Sequence, residues 1–399
     1  MIDIRQPTMD MDKLQCLATR PCTSATTYAT HELTIKSFSP TYISPYESII
    51  MGPEALLALK KVLFDALSSF QNVQSVSYVF HPVYTLFARF IRYTYCNGRW
   101  QPHPCDETWA QIILVDALKT LNKLSSLNVS ILHCRLRVPF HWFSDLQEIS
   151  IYGIQNGIYG YQTGTLENLA KMVAHSPQLN SINMKNIYPI PLGKNQSLHQ
   201  LFQYYSKDVP PLRLHRLVLD TYLVRFDDIT LPHLKYLTSL SLTNIKDTSD
   251  SEELKAEQGR WGSSLQEIWS ALIKAHIFLE EITVDFVVHT LIAYLASYSG
   301  LKILNLTSRA SDQTSNDLAA QFYAKPLSNH VQSLRKLDIS AIFEGLWCVD
   351  EHNLTLISQC INLKHLGVTV ISSQVDPAPP AGSSSSSAGL DVIVSVTIF

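Results

Sequence analysis

Long apolar runs are missing from this chain. No stretch of about 18 apolar residues occurs, so a transmembrane helix is excluded. The opening residues, MIDIRQPTMDMDKLQCLATRPC, bring in Asp3, Asp10 and Asp12 early and hold no apolar core of signal-peptide length, so no secretory leader is expected. Charge is scarce as well. Only 16% of the 399 residues are charged and the formal net charge is −3, which leaves no global basic field for nucleic acid or an anionic membrane and no acidic field for a basic partner.

Cysteine is too sparse and too scattered for a disulfide framework. The seven (Cys16, Cys22, Cys96, Cys105, Cys134, Cys348 and Cys360) are odd in number and spread along the chain, which fits a reducing compartment, cytoplasmic or nuclear. Cys96, His103 and Cys105 are neighbours, but no second close pair completes a zinc template, so no metal is expected. The local signatures of catalysis, G-x-S-x-G and H-E-x-x-H, are absent, as is a Gly-rich phosphate loop; no catalytic residue and no cofactor is expected. His133 and Cys134 are adjacent, and on a strand adjacent residues point to opposite faces.

Apolar residues, at 46%, are ample for a core, and their order is informative. The stretch SGLKILNLTS places Leu301, Leu304 and Leu306 at intervals of three and two, the L-x-x-L-x-L interval of a leucine-rich repeat. Extended to a fourth apolar position, the template is filled at Leu124/Leu127/Val129/Leu132, Leu146/Ile149/Ile151/Ile154, Leu179/Ile182/Met184/Ile187 and Leu237/Leu240/Leu242/Ile245. Leu279/Ile282/Val284/Val287, Leu334/Leu337/Ile339/Ile342 and Leu363/Leu366/Val368/Ile371 fill it too. Leu214/Leu217/Leu219 closes with Tyr222, and the opening stretch fails at Arg309. Chance alone supplies about four matches in a chain this long. The stronger signal is a helix-period stripe before the strands.

Leu166, Leu169, Met172 and Val173 share a face ahead of Leu179, with Pro177 as a stop. Ser264 and Glu267 form a capping-box pair ahead of the stripe Leu265, Ile268 and Leu272. Leu291, Leu295 and Tyr298, ended by Gly300, precede Leu301, and Leu354, Ile357 and Ile361 precede Leu363. The unit begins early: Pro53 opens a helix with Leu56, Leu59, Leu63 and Leu67 on one face, VQSVSY supplies a strand, and Leu33, Ile35 and Phe38 in HELTIKSF supply one more. Strand starts at 73, 124, 146, 179, 214, 237, 279, 301, 334 and 363 are irregularly spaced, so loops such as Phe90 to Cys105 and Lys246 to Arg260 are read as insertions. In the first of these, Arg89, Arg92 and Arg99 alternate with Phe90, Tyr93, Tyr95 and Trp100, a pattern able to stack on bases but read in preference as an inserted loop or hairpin.

These residues predict an α/β leucine-rich-repeat solenoid, a curved horseshoe with a parallel sheet on the concave face and helices on the convex face. Its expected extent is 28–371, after a poorly ordered segment 1–27 and before a Pro/Ser-rich linker 372–389. A C-terminal apolar segment, 390–399, alternates Val392, Val394, Val396 and Ile398 with strand period and is expected to pair as a last strand over the edge of LKHLGVTV.

The join QCINLKHLGV, with Cys360, Leu363, Leu366 and Val368, resembles leucine-rich-repeat proteins of the F-box-associated, ribonuclease-inhibitor-like type, in their divergent fungal form. The equivalents of Cys360 elsewhere are Ser176, His276 and Tyr298, and the late asparagine of standard repeats is replaced by residues such as Ile154 and Ile245. The resemblance implies a solenoid that binds another protein on its concave sheet, often to present it for ubiquitination. No Leu-Pro F-box opening is recognisable, so either an adaptor-binding module lies outside this chain or the array works without one.

Strand alternation sends the leucines inward and the residues between them to the open face. The charged and aromatic members of that face are Glu148, Tyr152, Lys185, Arg216, Asp220, Glu281, Asp285, Lys336, Asp338 and His365, and these are the candidate protein-binding residues of a monomer that uses neither nucleic acid nor membrane. A hydrolase or other enzyme with a site assembled from distant residues, or a repeat protein regulating another enzyme, stand as the alternatives. Of the four N-x-S/T sequons, at Asn128, Asn195, Asn305 and Asn353, Asn128 and Asn305 fall mid-strand, where a glycan is awkward.

Overall fold

One carbonyl per repeat sets the stack. In the computed structural model of the chain, the residue just after each strand-opening position, which is apolar except at Thr30, offers its carbonyl to two consecutive N–H groups of the following repeat. His31 receives Gln74 and Ser75, Gln74 receives Ser125 and Ser126, Ser125 receives Gln147 and Glu148, and Gln147 receives Asn180 and Ser181. The same bond recurs from His215 through Thr238, Glu280, Lys302 and Arg335. It needs no particular side chain, so it survives the irregular spacing of the repeats. The structure describes residues 11–19, 30–35, 53–79, 93–96, 99–102, 109–131, 138–153, 164–185, 197–245, 264–370 and 393–396. Ile154, Ile187, His133, Cys134, Asn195 and the Lys246 to Arg260 insertion lie outside them.

The architecture is α/β, with helices alternating with parallel strands in the manner of a leucine-rich-repeat solenoid. The chain divides into two compact units, Met1–Ile190 with Gln200–Pro210, and Pro191–His199 with Pro211–Phe399. In the first unit the strands β1 (Glu32–Ile35), β2 (Ser75–Val79), β5 (Ser126–Ser130), β6 (Glu148–Tyr152) and β7 (Ser181–Lys185) pair in that order, all parallel. The insertion between β2 and β5 carries an antiparallel hairpin of β3 (Tyr93–Cys96) and β4 (Arg99–Pro102). Helices α2 (Pro53–Ser68), α3 (Trp109–Leu118) and α4 (Thr165–Ala174) precede β2, β5 and β7. Residues 1–27 carry little periodicity, yet α1 (Met11–Thr19) packs on α2 and buries Leu14.

The second unit pairs β8 (Arg216–Asp220), β9 (Ser239–Thr243), β10 (Glu281–Val284), β11 (Ile303–Ser308), β12 (Lys336–Ala341) and β13 (His365–Thr369), again all parallel. Helix α5 (Leu198–Phe202) falls across the division of the chain, with Leu198 and His199 in this unit, and the other helices are α6 (Leu265–Lys274), α7 (His289–Ala296), α8 (Gln313–Ala324), α9 (Pro326–His330) and α10 (Glu351–Ile357). The apolar C-terminal segment supplies β14 (Ile393–Val396), which pairs antiparallel with β13, Leu366 facing Val396 and Gly367 facing Ser395. A parallel stack leaves an unpaired edge, and β14 covers it.

The leucine template is the core. Leu127, Val129, Ile149, Ile151, Ile182 and Met184 are buried in the first unit, as are Leu217, Leu219, Leu240, Leu242, Leu304, Leu306, Leu337 and Ile339 in the second. The helical stripe Leu166, Leu169, Met172 and Val173 is buried, and Ser264 caps α6 by accepting the N–H of Glu267, as the capping box predicts. Two expectations fail for local reasons. Ile342 is 47% exposed because β12 runs on to Ala341, which keeps the period of two and gives position 342 outward parity. Where a left-handed residue ends the strand instead, as Thr221 (φ 63°) and Asn244 (φ 53°) do, the next residue turns in, and Tyr222 and Ile245 are buried. The stripe on α10 is also rotated: Leu354 and Ile361 are exposed, and the helix buries Asn353, Ile357 and Cys360. Asn353 fixes that rotation by donating from Nδ2 to the carbonyls of Leu346 and Cys348.

Leu240 is 1% exposed and Ser241 beside it is half-buried on the opposite face. An aspartate at Leu240 places an unpaired carboxylate in the core. Leu240→Asp is expected to cost on the order of 3 kcal/mol or more, and Ser241→Asp well under about 1 kcal/mol. Urea unfolding midpoints of the two variants check the assignment, and equal midpoints would contradict it.

Candidate binding face

Parallel register lines up the outward side chains of successive strands into rows. In the first unit one row runs Thr34, Ser77, Asn128, Ser150, Asn183. In the second, Val218, Ser241, Thr283, Asn305, Asp338 and Gly367 are in register. Short hydroxyl and amide side chains therefore dominate the middle of the face, with charged groups toward the strand ends. Asn305 donates from Nδ2 to Thr283 Oγ1 at 2.9 Å, tying two strands across the row. That bond occupies the amide of one sequon, and Asn353 of another is buried with its amide donated to carbonyls.

The candidate residues do not all share one environment. Glu148, Tyr152 and Lys185 are exposed on the open face of the first unit, and Glu148 accepts from Ser126 Oγ at 3.3 Å. In the second unit Arg216 is exposed, while Asp220, Glu281, Lys336, Asp338 and His365 are half-buried. Asp220 accepts from Asn244 Nδ2 at 2.9 Å and from the Thr221 hydroxyl at 2.8 Å, and Glu281 accepts from Ser239 Oγ at 2.9 Å. Asp285 leaves the face. Because β10 stops at Val284, residue 285 falls outside the strand alternation, is 8% exposed, and holds Arg309 Nη2 at 2.7 Å and the backbone N–H of Asn244 at 2.9 Å. It ties neighbouring repeats together.

Sequence reasoning overlooked the residues directly after the opening leucines, because alternation was counted only between leucines. In the last repeats these are Lys302, Arg335 and Lys364, in LKILNL, LRKLDI and LKHLGV. The doubled carbonyl bonds put them side by side at the start of β11, β12 and β13, next to Lys336 and its register partner His365. The signal was present as a basic residue in the same place of three consecutive repeats.

Behind the face, buried polar groups serve the backbone. The N–H of Leu301 is received by His330 Nδ1 at 3.4 Å, while His330 Nε2 lies 3.0 Å from the carbonyl of Leu295, which makes Nε2 the protonated nitrogen. His233 Nδ1 receives the N–H of Leu212 at 3.0 Å. Tyr294 takes the N–H of Leu279 and donates to the carbonyl of Ile277, both at 2.9 Å. His199 and Asp227 lie 2.8 Å apart. Burial pushes the Asp227 carboxyl up, but hydrogen bonds from Thr230, His199 and Ile229 outweigh it and hold it below its ordinary value. Its oxygens are thus filled by the turn it builds, Ile229 and Thr230 both donating backbone N–H groups to Oδ1. Among the described residues no group of three or more His, Cys, Asp or Glu is placed to hold a metal ion, and no helix is long and apolar enough to cross a membrane. No protein-family model and no curated protein matches the chain.

Burial lowers His233 to about 4 and also lowers His330, whose bond to the Leu295 carbonyl works in the opposite sense. Both are acceptors at Nδ1, so protonation there would break the bond to the leucine amide. An unfolded histidine titrates near 6.5, so below that pH the unfolded chain binds protons that the folded chain refuses. The stability His233 contributes is complete above pH ~6.5 and is lost as pH falls toward about 4, by up to about 1.4 kcal/mol per pH unit, and His330 acts in the same direction. Urea midpoints measured from pH 7.5 to 5 should fall, and His233→Gln should flatten the slope. An unchanged slope in that variant would remove His233 as a cause.

Proposed function

We propose that this chain is a non-enzymatic protein-binding scaffold that docks its partner on the open face of its parallel sheet. The observation that carries this reading is the in-register polar row, Ser77, Asn128, Ser150 and Asn183 in the first unit and Ser241, Thr283 and Asn305 in the second. Short side chains lose little rotamer freedom when a partner covers them, and their hydroxyls and amides both donate and accept. Such a surface supplies many hydrogen bonds at small entropic cost, flanked by charged groups that set orientation. The ubiquitin-ligase role implied by the resemblance gains no support from the fold, and the proposal stops at protein binding.

Enlarging the row without touching the core tests it. Ser150→Arg combined with Ser241→Arg should leave the thermal transition within a few degrees of the parent while removing the proteins captured by the parent chain. A control with Lys61→Glu and Lys274→Glu on exposed positions of α2 and α6 should retain them. Loss with the helix variants and retention with the sheet variants would move the binding surface away from the sheet.

A further inference from the structure

In the second unit the acidic side chains at and beside the open face, Asp338 apart, are engaged, while three cations at its last strands are not. Asp220, Glu281 and Asp285 are each engaged by a neighbouring repeat, as described above, and Glu280 pairs with Lys302 at 2.8 Å. By contrast Arg335, Lys336 and Lys364 make no ion pair or side-chain hydrogen bond among the described residues. Arg335 and Lys364 are exposed and Lys336 is half-buried. Adjacent strands lie about 4.8 Å apart, so three uncommitted cations occupy the starts of two neighbouring strands.

What surrounds them narrows the ligand. Asp338 lies two residues beyond Lys336 on the same face, about 6.8 Å along the strand. No hydrogen bond or ion pair engages its carboxylate among the described residues, and it leans over Gly367, where an added Cβ would meet Oδ1 at 2.9 Å. The remaining half-buried residues of outward parity on β11 to β13 are Ile303, Asn305, Thr307, Ser340 and His365, and none is Phe, Tyr or Trp. A continuous phosphate backbone would meet Asp338 and find no large ring among these described strand residues on which to stack bases. A peptide can place carboxylates opposite the cations and neutral residues opposite Asp338.

We propose that the N-terminal edge of β12 and β13 is a docking site for an acidic peptide segment of a partner protein, its carboxylates bound by Arg335, Lys336 and Lys364. Arg335 offers the planar fork that matches a carboxylate, and the two lysines act as point charges beside it. Glu280 neutralises Lys302, so the selective charge comes from the other three. Asp338 sets the limit of the site and disfavours an acidic residue at the next position. This inference deepens the protein-binding reading and rests on it.

Fluorescence anisotropy with a fluorescein-labelled Glu-Ser repeat peptide tests the site, with a Lys-Ser repeat peptide and oligothymidylate as comparators. The Glu-Ser peptide is expected to bind, to weaken as salt rises, and to lose about tenfold or more in affinity in the Arg335→Gln, Lys336→Gln, Lys364→Gln triple variant. Asp338→Asn should tighten it, and that variant keeps every cation and the core, so the direction of change is readable even if the triple variant fails to fold. Absence of Glu-Ser binding to the parent chain, or equal affinity in a folded triple variant, would overturn the proposal. Tighter binding of oligothymidylate, lost in the same variant, would assign the patch to nucleic acid and overturn it as well. Failure here with capture still abolished by Ser150→Arg and Ser241→Arg would overturn this site alone, whereas capture indifferent to those two substitutions would overturn the broader reading.

Discussion

Each repeat must dispose of the backbone N–H of the buried residue that opens its strand, and much of the structure follows from how it does so. A buried amide without an acceptor costs about as much as a lost hydrogen bond, so the group cannot be ignored. Where the preceding helix or turn runs straight into the strand, the amide is satisfied locally. Val73, Leu124, Leu179, Leu237 and Leu363 each donate to the carbonyl three residues back, and Leu334 to the one four back. Where a left-handed residue breaks that run, the local carbonyl is out of reach. Asp145 (φ 59°), His276 (φ 53°) and Gly300 (φ 110°) precede Leu146, Leu279 and Leu301, and those three amides are received by Ser176, Tyr294 and His330 of the following repeat. Only Gly300 takes its positive φ without a Cβ penalty.

The same constraint accounts for several polar residues of the interior. His330 and Tyr294 are buried with their donors and acceptors used on backbone, and buried Ser176 receives the N–H of Leu146 while donating to Met172 Sδ at 3.6 Å. Tyr298 donates to the carbonyl of Leu279, and burial raises its hydroxyl far above the ordinary range, as it does for Tyr294. Trp269, Tyr294, Tyr298 and His330 form a chain of ring contacts, with centroids 5.1 to 5.2 Å apart, behind β10 and β11. Chemistry-bearing side chains are concentrated where they stabilise the stack. Among the described residues the open face of the second unit keeps short polar groups, the unengaged Asp338 and the uncommitted Arg335, Lys336 and Lys364.

Much of the fold was legible because a strand period of two and a helix period of 3.6 need only apolar placement. Leu217, Leu219, Leu240 and Leu242 are buried as the template requires. What the pattern could not show was where alternation stops. Asp285 reads as a face residue only if β10 continues past Val284, and Ile342 reads as core only if β12 has ended before it. Nor could apolar periodicity orient α10, since Asn353, a polar residue, sets its rotation. The degenerate position before each opening leucine was visible as Ser176, Tyr298 and Cys360, but hydrogen bonding that reaches forward by a whole repeat has no local trace. Cys360, with its thiol raised to about 11 by burial, fills the same position as a small apolar group.

The acceptors lent by Ser176, Tyr294 and His330 all point backward along the chain, from a repeat to its predecessor. For these opening amides, dependence on a neighbour therefore runs toward the C-terminal side. Loss of the following repeat at such a joint leaves a buried donor without its acceptor, whereas loss of the preceding repeat removes the carbonyl that receives the first two strand N–H groups of the next. A shortened version of this protein cut just before α7 would keep Leu279 and lose its acceptor, and a cut between β12 and α10 would keep Ala341 and lose Thr369 Oγ1, which receives its N–H.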